Sequence, residues 1–159
     1  MKPLIQPIPL PFRVSSQVSN IGAEFVENRD AVLTVDTYWG GHASVPQYRR
    51  VRLDFKQSLA LYASQQIGDD YEGLEDYDWS ARPAAKGYEE LMRAKDLNNR
   101  RWEATGVCEE SNVYAISGSE WVRRSRQPIN HYYVSGGDSY IEILAASFNW
   151  ELLTNMSTE

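Results

Sequence analysis

The chain has 159 residues, of which 42% are hydrophobic and 24% charged, as expected for one soluble globular domain. These values exclude a wholly disordered chain and a collagen-like chain, and the single cysteine excludes a disulfide scaffold. The 22 acidic and 16 basic residues give a net charge of −6. No apolar run approaches the roughly 18 residues that a membrane span requires, so the sequence predicts no contact with a membrane.

The first twelve residues contain several prolines, between Pro3 and Pro11. Prolines interrupt the apolar helix that a signal peptide requires, and they favour an extended chain. We therefore expect residues 1–12 to form an extended arm that packs against the domain or a partner, and residues 13–159 to form a single domain. Since the sequence shows neither a signal peptide nor a cysteine pair, the expected location is the cytoplasm.

Alternation of apolar and polar residues predicts several β-strands. Segments with this pattern lie at residues 23–26, 31–37, 48–55, 112–116, 131–134 and 139–145. In the segment 48–55, Val51, Leu53 and Phe55 alternate with charged residues, which predicts a half-buried strand with one wet face. Residues 57–67 fit either a further strand or a short helix.

One main helix is predicted over residues 83–105. Pro83 suits the first turn of a helix, and Gly106 suits the position that follows the last turn. Three apolar residues of this helix are expected to pack on the sheet: Tyr88, Leu91 and Met92. Their expected neighbours are Val51, Leu53 and Ile143. The sequence thus predicts a single α+β domain, with one antiparallel sheet of about five to seven strands and this helix packed on a face.

The residues that bear reactive groups are few, and they form no known metal or cofactor motif. The two histidines are His42 and His131, and no paired Cys or His spacing accompanies them, so neither a metal nor a cofactor is expected. Cys108 and His131 would make a nucleophile and base, with Glu109 or Asp138 orienting the imidazole ring. No nucleophile motif surrounds Cys108, so we interpret it as a small core residue.

The most distinctive segment is the acidic window, residues 69–78, which holds six acids and no base. Outside it, acids and bases are equal in number, so the window carries the whole net charge of −6. Carboxylates would steer a basic partner, and aromatic residues would supply rigid anchors. The residues predicted to bind a partner are Asp69, Asp70, Tyr71, Glu72, Glu75, Asp76, Tyr77, Asp78 and Trp79. A solubilising surface loop is the alternative interpretation of this segment.

The last third of the chain resembles a family of small bacterial proteins of uncharacterised or immunity type. The resemblance is carried by Trp102 and the run Glu103–Cys108, by Tyr114–Ile116 and Ser119–Trp121, and by the strands His131–Val134 and Tyr140–Ala145. It covers roughly residues 102–150. It implies a non-enzymatic cytoplasmic binding protein in which these two strands form a hairpin that closes an α+β domain. It assigns no catalytic residue to this chain.

These observations predict a non-enzymatic binding protein that neutralises or regulates a basic protein partner. The most specific form of this hypothesis is an immunity protein, or antitoxin, that acts against a nuclease-type toxin. One alternative is a small enzyme or ligand-binding protein with a pocket near Cys108, His131 and Trp121. Another is a structural subunit whose proline-rich arm docks on a neighbouring copy. Nucleic acid is not an expected partner, because the affinity of proteins for it comes from clustered Lys and Arg.

Overall fold

A computed structural model describes residues 1–15, 21–27, 29–40, 47–65, 77–82, 85–137 and 139–155. In these ranges the chain forms ten strands and two helices. In chain order they are β1 (Leu4–Pro7), β2 (Phe12–Val14), β3 (Gly22–Glu24), β4 (Ala31–Trp39), β5 (Gln47–Lys56), β6 (Ala60–Gln65), α1 (Tyr88–Thr105), β7 (Val113–Ser117), α2 (Glu120–Arg124), β8 (Asn130–Ser135), β9 (Ser139–Ala145) and β10 (Ser147–Asn155).

The strands form two antiparallel sheets. Sheet I has the order β1-β7-β8-β9-β6, and sheet II has the order β10-β5-β4-β2, with β3 also paired to β4. The predicted antiparallel character is confirmed, but the prediction of one sheet of five to seven strands is wrong. Alternation along a strand reports which side chains share a face, and it does not report how many sheets the strands build.

The chain crosses from one sheet to the other at two short connections between long strands. The chain passes from β5 to β6 between Lys56 and Ala60, and from β9 to β10 between Ala145 and Ser147. β5 pairs with β10 in sheet II, and β6 pairs with β9 in sheet I. Strands that change sheets at such bends form the corners of a two-layer sandwich. The ambiguous segment 57–67 therefore contains a strand.

The main core lies between the two sheets. Val51, Leu53 and Phe55 of β5 point into it and are fully buried, while Arg50 and Arg52 lie on the opposite side of the strand. The predicted strand with one wet face is thus confirmed. The buried residues of this core are Leu10, Phe12, Val14, Ala31, Leu33, Val35, Val51, Leu53, Phe55, Val113, Tyr132, Val134, Ile141, Ile143 and Ala145.

Helix α1 begins at Tyr88, later than predicted, and ends before Gly106, which has the left-handed conformation expected there (φ 72°). The predicted packing of Tyr88, Leu91 and Met92 on the sheet is wrong, because all three side chains are exposed. Their expected neighbours Val51, Leu53 and Ile143 lie between the two sheets. The second sheet covers the apolar face that the helix was expected to cover.

The contact between α1 and the sandwich is made at the helix's C-terminal end. Trp102 is its one buried residue; the indole N–H donates to the carbonyl of Pro11 (3.2 Å), and the ring lies 5.9 Å from that of Tyr38. Trp102 is therefore the one fully buried side chain by which the helix contacts the region of β2 and β4. Neither helix of the described chain has the length and apolar character needed to cross a membrane.

The N-terminal segment is extended and belongs to the sheets. Residues Leu4–Pro7 form β1 and pair with β7 at the edge of sheet I, and Ile5 is fully buried. Leu10 then forms an isolated antiparallel bridge with Cys108. The arm packs against the domain through these contacts, and Leu4 also forms a parallel bridge with Asp78.

Candidate functional site

The outer face of sheet I, on the side away from sheet II, is buried and aromatic. Since Tyr132 and Val134 of β8 point into the main core, the intervening Tyr133 points outward. It belongs to a second buried cluster, which has the half-buried Trp79 packed against it. The buried members of this cluster are Ile5, Tyr77, Tyr114, Ile116, Tyr133 and Tyr140. A face that would be wet in a simple sandwich is here a second core.

Part of the cover on this face comes from residues 77–79, which we call the strap. Asp78 forms a parallel bridge with Leu4: its N–H donates to the carbonyl of Pro3 (2.8 Å), and its carbonyl accepts from the N–H of Ile5 (3.1 Å). The ring of Trp79 lies 5.7 Å from that of Tyr114 and 5.8 Å from that of Tyr133. The strap therefore extends sheet I beyond β1.

Tyr77 is the residue that fixes the strap most deeply. Its side chain is 4% exposed, and its hydroxyl group donates a hydrogen bond to the carboxylate of Glu142 on β9. Its ring lies edge-on to His131 (6.0 Å) and Tyr133 (6.5 Å) of β8. In sheet I, β9 lies three strands away from β1. This contact therefore ties the strap to the interior of the sheet as well as to its edge.

Three buried polar residues continue this contact into the sheet. Ser119 Oγ lies 2.8 Å from His131 Nδ1, and His131 Nε2 lies 3.6 Å from Glu142 Oε1. The Nε2 atom has no hydrogen-bond partner among the described residues. Serine, histidine and a carboxylate are the residue types of a hydrolytic triad. None of the three is more than 1% exposed, and they lie beneath Tyr77, whose hydroxyl group bonds to Glu142.

Only the C-terminal end of the acidic window is placed by the structure. Residues 69–76, with the predicted binding residues Asp69 to Asp76, lie outside the described residues. Asp78 accepts a hydrogen bond from the backbone N–H of Ser80 (2.9 Å), and this bond lowers the pKa of its carboxyl group. Tyr77 is buried rather than presented at the surface, and Trp79 is half-buried. The partner-binding role of the window stays a prediction.

Cys108 and His131 lie in different surroundings. Cys108 exchanges two backbone hydrogen bonds with Leu10, at 2.7 and 3.1 Å, and is fully buried. Burial raises the pKa of its thiol, which disfavours the nucleophilic thiolate. Glu109 pairs with Arg101 at 3.7 Å, and Asp138 and His42 lie outside the described residues. Among the described residues, the nucleophile, base and orienting carboxylate of the enzyme alternative are therefore not found side by side.

Two open clefts lie elsewhere, around Arg29. One, of about 390 Å³, is bounded by the outer face of sheet II, and the other, of about 420 Å³, by the turn after β5. Neither is lined by Cys108, His131 or Trp121. Among the described residues, no group of three or more His, Cys, Asp or Glu side chains is arranged to hold a metal ion. The candidate site is thus the strap, which joins the acidic window to the N-terminal segment and to sheet I.

Comparison with known proteins gives no relative. No protein-family model, curated protein or solved structure matches the chain significantly.

Proposed function

We propose that this protein is a non-enzymatic binding protein that neutralises or regulates a basic protein partner, through the acidic window. An immunity protein that acts against a nuclease-type toxin is the most specific form of the proposal. The observation that carries it is the placement of charge: the whole net charge of −6 lies in residues 69–78, and the strap fixes the end of that segment to sheet I.

The flanks of the window support this proposal. On its N-terminal side, β6 forms one edge of sheet I, and on its C-terminal side the strap lies beside β1 at the other edge. Both flanks of the acidic segment are thus attached to the same sheet. Attachment at both ends limits the conformations available to a binding segment, which reduces the entropy that it loses on binding.

The charges of the rest of the domain also support it. On the outer face of sheet II, acids and bases form pairs, and outside the window their numbers are equal. The pairs on that face are Arg50 with Asp36, Arg52 with Asp54, and Lys56 with Asp30. A basic protein that approaches this molecule therefore meets its excess negative charge at the window, and charge of this kind raises association rates by roughly 10–1,000-fold.

The test compares two variants that have the same net charge. The first reverses four window residues, Asp69, Asp70, Glu75 and Asp76, to Lys. The second reverses four exposed acids elsewhere, Glu24, Glu27, Glu109 and Glu151, to Lys. The wild type and both variants are used to capture partners from the native lysate, and the association rate of the captured protein is then measured.

We expect the captured partner to be basic and its association with the window variant to be slower by about tenfold or more at low salt. The second variant should retain most of the wild-type rate, and added salt should slow the wild type, because it screens exposed charges beyond about 8–10 Å. Equal rates and equal salt dependence for the wild type and the window variant would contradict the proposal and leave the window as a solubilising loop.

A further inference from the structure

Strand β10 forms one edge of sheet II, and its second half is exposed on both faces of the sheet. The consecutive residues Asn149–Leu153 are all exposed, and Trp150, Leu152 and Leu153 among them are 39%, 38% and 42% exposed. In the described part of the chain, β5 is the one strand that pairs with β10. The other side of β10 therefore presents a row of backbone N–H and C=O groups that no described strand receives.

Two of the exposed apolar side chains of β10 belong to the same face as the main core. Trp150 pairs with Leu53 of β5, and Leu152 pairs with Val51. Residues that stand directly opposite each other share a face of the sheet, and both partners on β5 are fully buried. The ring of Trp150 also lies 5.3 Å from that of the buried Phe12. The core between the two sheets thus reaches the solvent at β10.

Two other sheet edges are protected in ways that β10 is not. The strap covers β1, and on β2 the N–H of Val14 donates to the carbonyl of Ser111 (2.9 Å). Proteins also protect an edge with lysine, proline or several charges, because an exposed apolar edge recruits another strand. The nine residues of β10 include neither lysine nor proline, and Glu151 is their one charge. The strand is therefore built to accept a further strand.

The side chains of β10 fit a second copy of β10 that runs antiparallel to the first. When Trp150 stands opposite its counterpart, Phe148 stands opposite Leu152 of the second copy. Asn149 then stands opposite Glu151. Apolar side chains meet on the core face, and an amide meets a carboxylate on the other face; matched cross-strand pairs of this kind stabilise a sheet. A register centred on Glu151 would place two like charges opposite each other, which destabilises pairing.

We infer that β10 is the interface of a homodimer, in which two copies pair antiparallel about Trp150 and join their sheets II into one continuous sheet. Pairing satisfies the outward backbone groups and removes Trp150 and Leu152 of both copies from water. A strand of nine residues is about 30 Å long, and contact along one such edge is smaller than the roughly 800 Å² per partner of a standard interface. The dimer is therefore weak, and it forms at high protein concentration.

The test measures the oligomeric state of the full chain by sedimentation velocity, from micromolar to near-millimolar concentration. Trp150→Glu places two carboxylates opposite each other at the centre of the pairing. Trp121→Glu is the matched control, because Trp121 is an exposed tryptophan (47%) on α2, away from β10. Asn149→Lys and Asn149→Glu place opposite charges at a position that faces Glu151 of the second copy. Circular dichroism checks that each variant retains the fold.

We expect the wild type to dimerise as its concentration rises, and Trp150→Glu to weaken the dimer by at least about tenfold. Trp121→Glu should leave the dissociation constant unchanged. Asn149→Lys should dimerise more tightly than Asn149→Glu, because cross-strand attraction replaces repulsion. This pair decides the matter if Trp150→Glu fails to fold.

A wild type that stays monomeric at every concentration would overturn the inference. So would equal weakening by Trp150→Glu and Trp121→Glu, or equal dissociation constants for Asn149→Lys and Asn149→Glu, because the second copy would then pair elsewhere. None of these results bears on the proposed function, since residues 69–78 are not part of β10.

Discussion

The outer faces of the two sheets differ, although both sheets belong to one sandwich. The outer face of sheet II carries ion pairs whose basic side chains reach the solvent, such as Arg52 (43% exposed) with Asp54 at 2.9 Å. The outer face of sheet I buries Glu142 and His131 among tyrosine rings. The carboxylates of sheet II thus pair with basic side chains that reach the solvent, as the buried Asp36 does with Arg50 at 3.1 Å. Glu142 of sheet I instead has a tyrosine and a histidine beside it.

This difference shows that the strap, rather than the strands themselves, decides what the outer face of sheet I contains. Buried polar groups are stable only when they are hydrogen-bonded. On that face Tyr77 supplies the donor to Glu142, and Ser119 lies within hydrogen-bond distance of His131. On sheet II, the carboxylates pair with Arg and Lys side chains that are 40%, 43% and 42% exposed, so each pair there contributes little to stability.

The largest expected effect follows removal of the buried carboxylate. Glu142→Ala leaves a cavity and leaves the Tyr77 hydroxyl without its acceptor, so the free energy of unfolding should fall by about 3 kcal/mol. Glu151→Ala makes the same change at an exposed position of β10 in sheet II, and it should alter stability by less than about 0.5 kcal/mol. Urea unfolding followed by tryptophan fluorescence measures both. Similar losses for the two variants would show that the outer faces do not differ energetically.

Removal of the strap's hydroxyl group should have the next largest effect. Tyr77→Phe keeps the aromatic ring but leaves Glu142 without that donor, which should lower the free energy of unfolding by about 1–3 kcal/mol. The control Tyr48→Phe removes a hydroxyl from a half-exposed tyrosine of β5 and should be nearly neutral. Hydrogen exchange should show faster opening at Ile5 in Tyr77→Phe, because its amide bonds to the strap. An unchanged exchange rate there would indicate that the β1 bridge alone holds the strap.

The sequence predicts the inter-sheet core well and this outer face poorly, for a physical reason. Val51, Leu53 and Phe55 alternate with charges, and local alternation suffices to assign their face. Glu142 stands in an apolar strand, where alternation places it on the wet side. Its burial depends on Tyr77, which is 65 residues away along the chain. The lone acid within the run Ile141–Ala145 was the available signal, but a single residue does not identify what covers it.

The candidate site was predictable to a similar extent. Counting charges locates the acidic window, because net charge is a property of composition. The burial of Tyr77 and the exposure of Tyr88 and Leu91 were not predictable. Both depend on which faces of the two sheets are covered by other parts of the chain, and local sequence does not report this. The helix was correctly expected, and its end at Gly106 was correct, but its first residue was predicted too early. Its predicted packing was wrong because the predicted strands divide into two sheets, and each sheet covers the apolar face of the other.

Alkaline pH should lower stability through buried groups such as those on the outer face of sheet I. Burial raises the pKa of Tyr114, which lies on the outer face of sheet I, and that of Cys108. The unfolded chain therefore releases these protons first, so stability is complete below about pH 9 and falls as the pH rises further. Each group contributes a slope of about 1.4 kcal/mol per pH unit between its unfolded and folded pKa values. Tyr114→Phe should reduce the slope above about pH 10, and an identical alkaline profile for this variant would contradict the role of burial.

The smallest effect is expected for an ion pair on the solvated side, Lys56 with Asp30 at 2.8 Å. The hydrogen bond from Lys56 lowers the pKa of the Asp30 carboxyl group, so the pair's contribution is present above the ordinary value of 3.8 and is lost as the pH falls through the lowered one. Both side chains are more than one-third exposed, and water screens most of their attraction. Lys56→Gln should therefore leave the melting temperature close to that of the wild type at pH 7. Any difference should disappear at high salt, where the Debye length falls to about 3 Å. A loss comparable with that of Tyr77→Phe, and insensitive to salt, would show that the outer face of sheet II also depends on specific polar contacts, and the contrast between the two faces would then rest on burial alone.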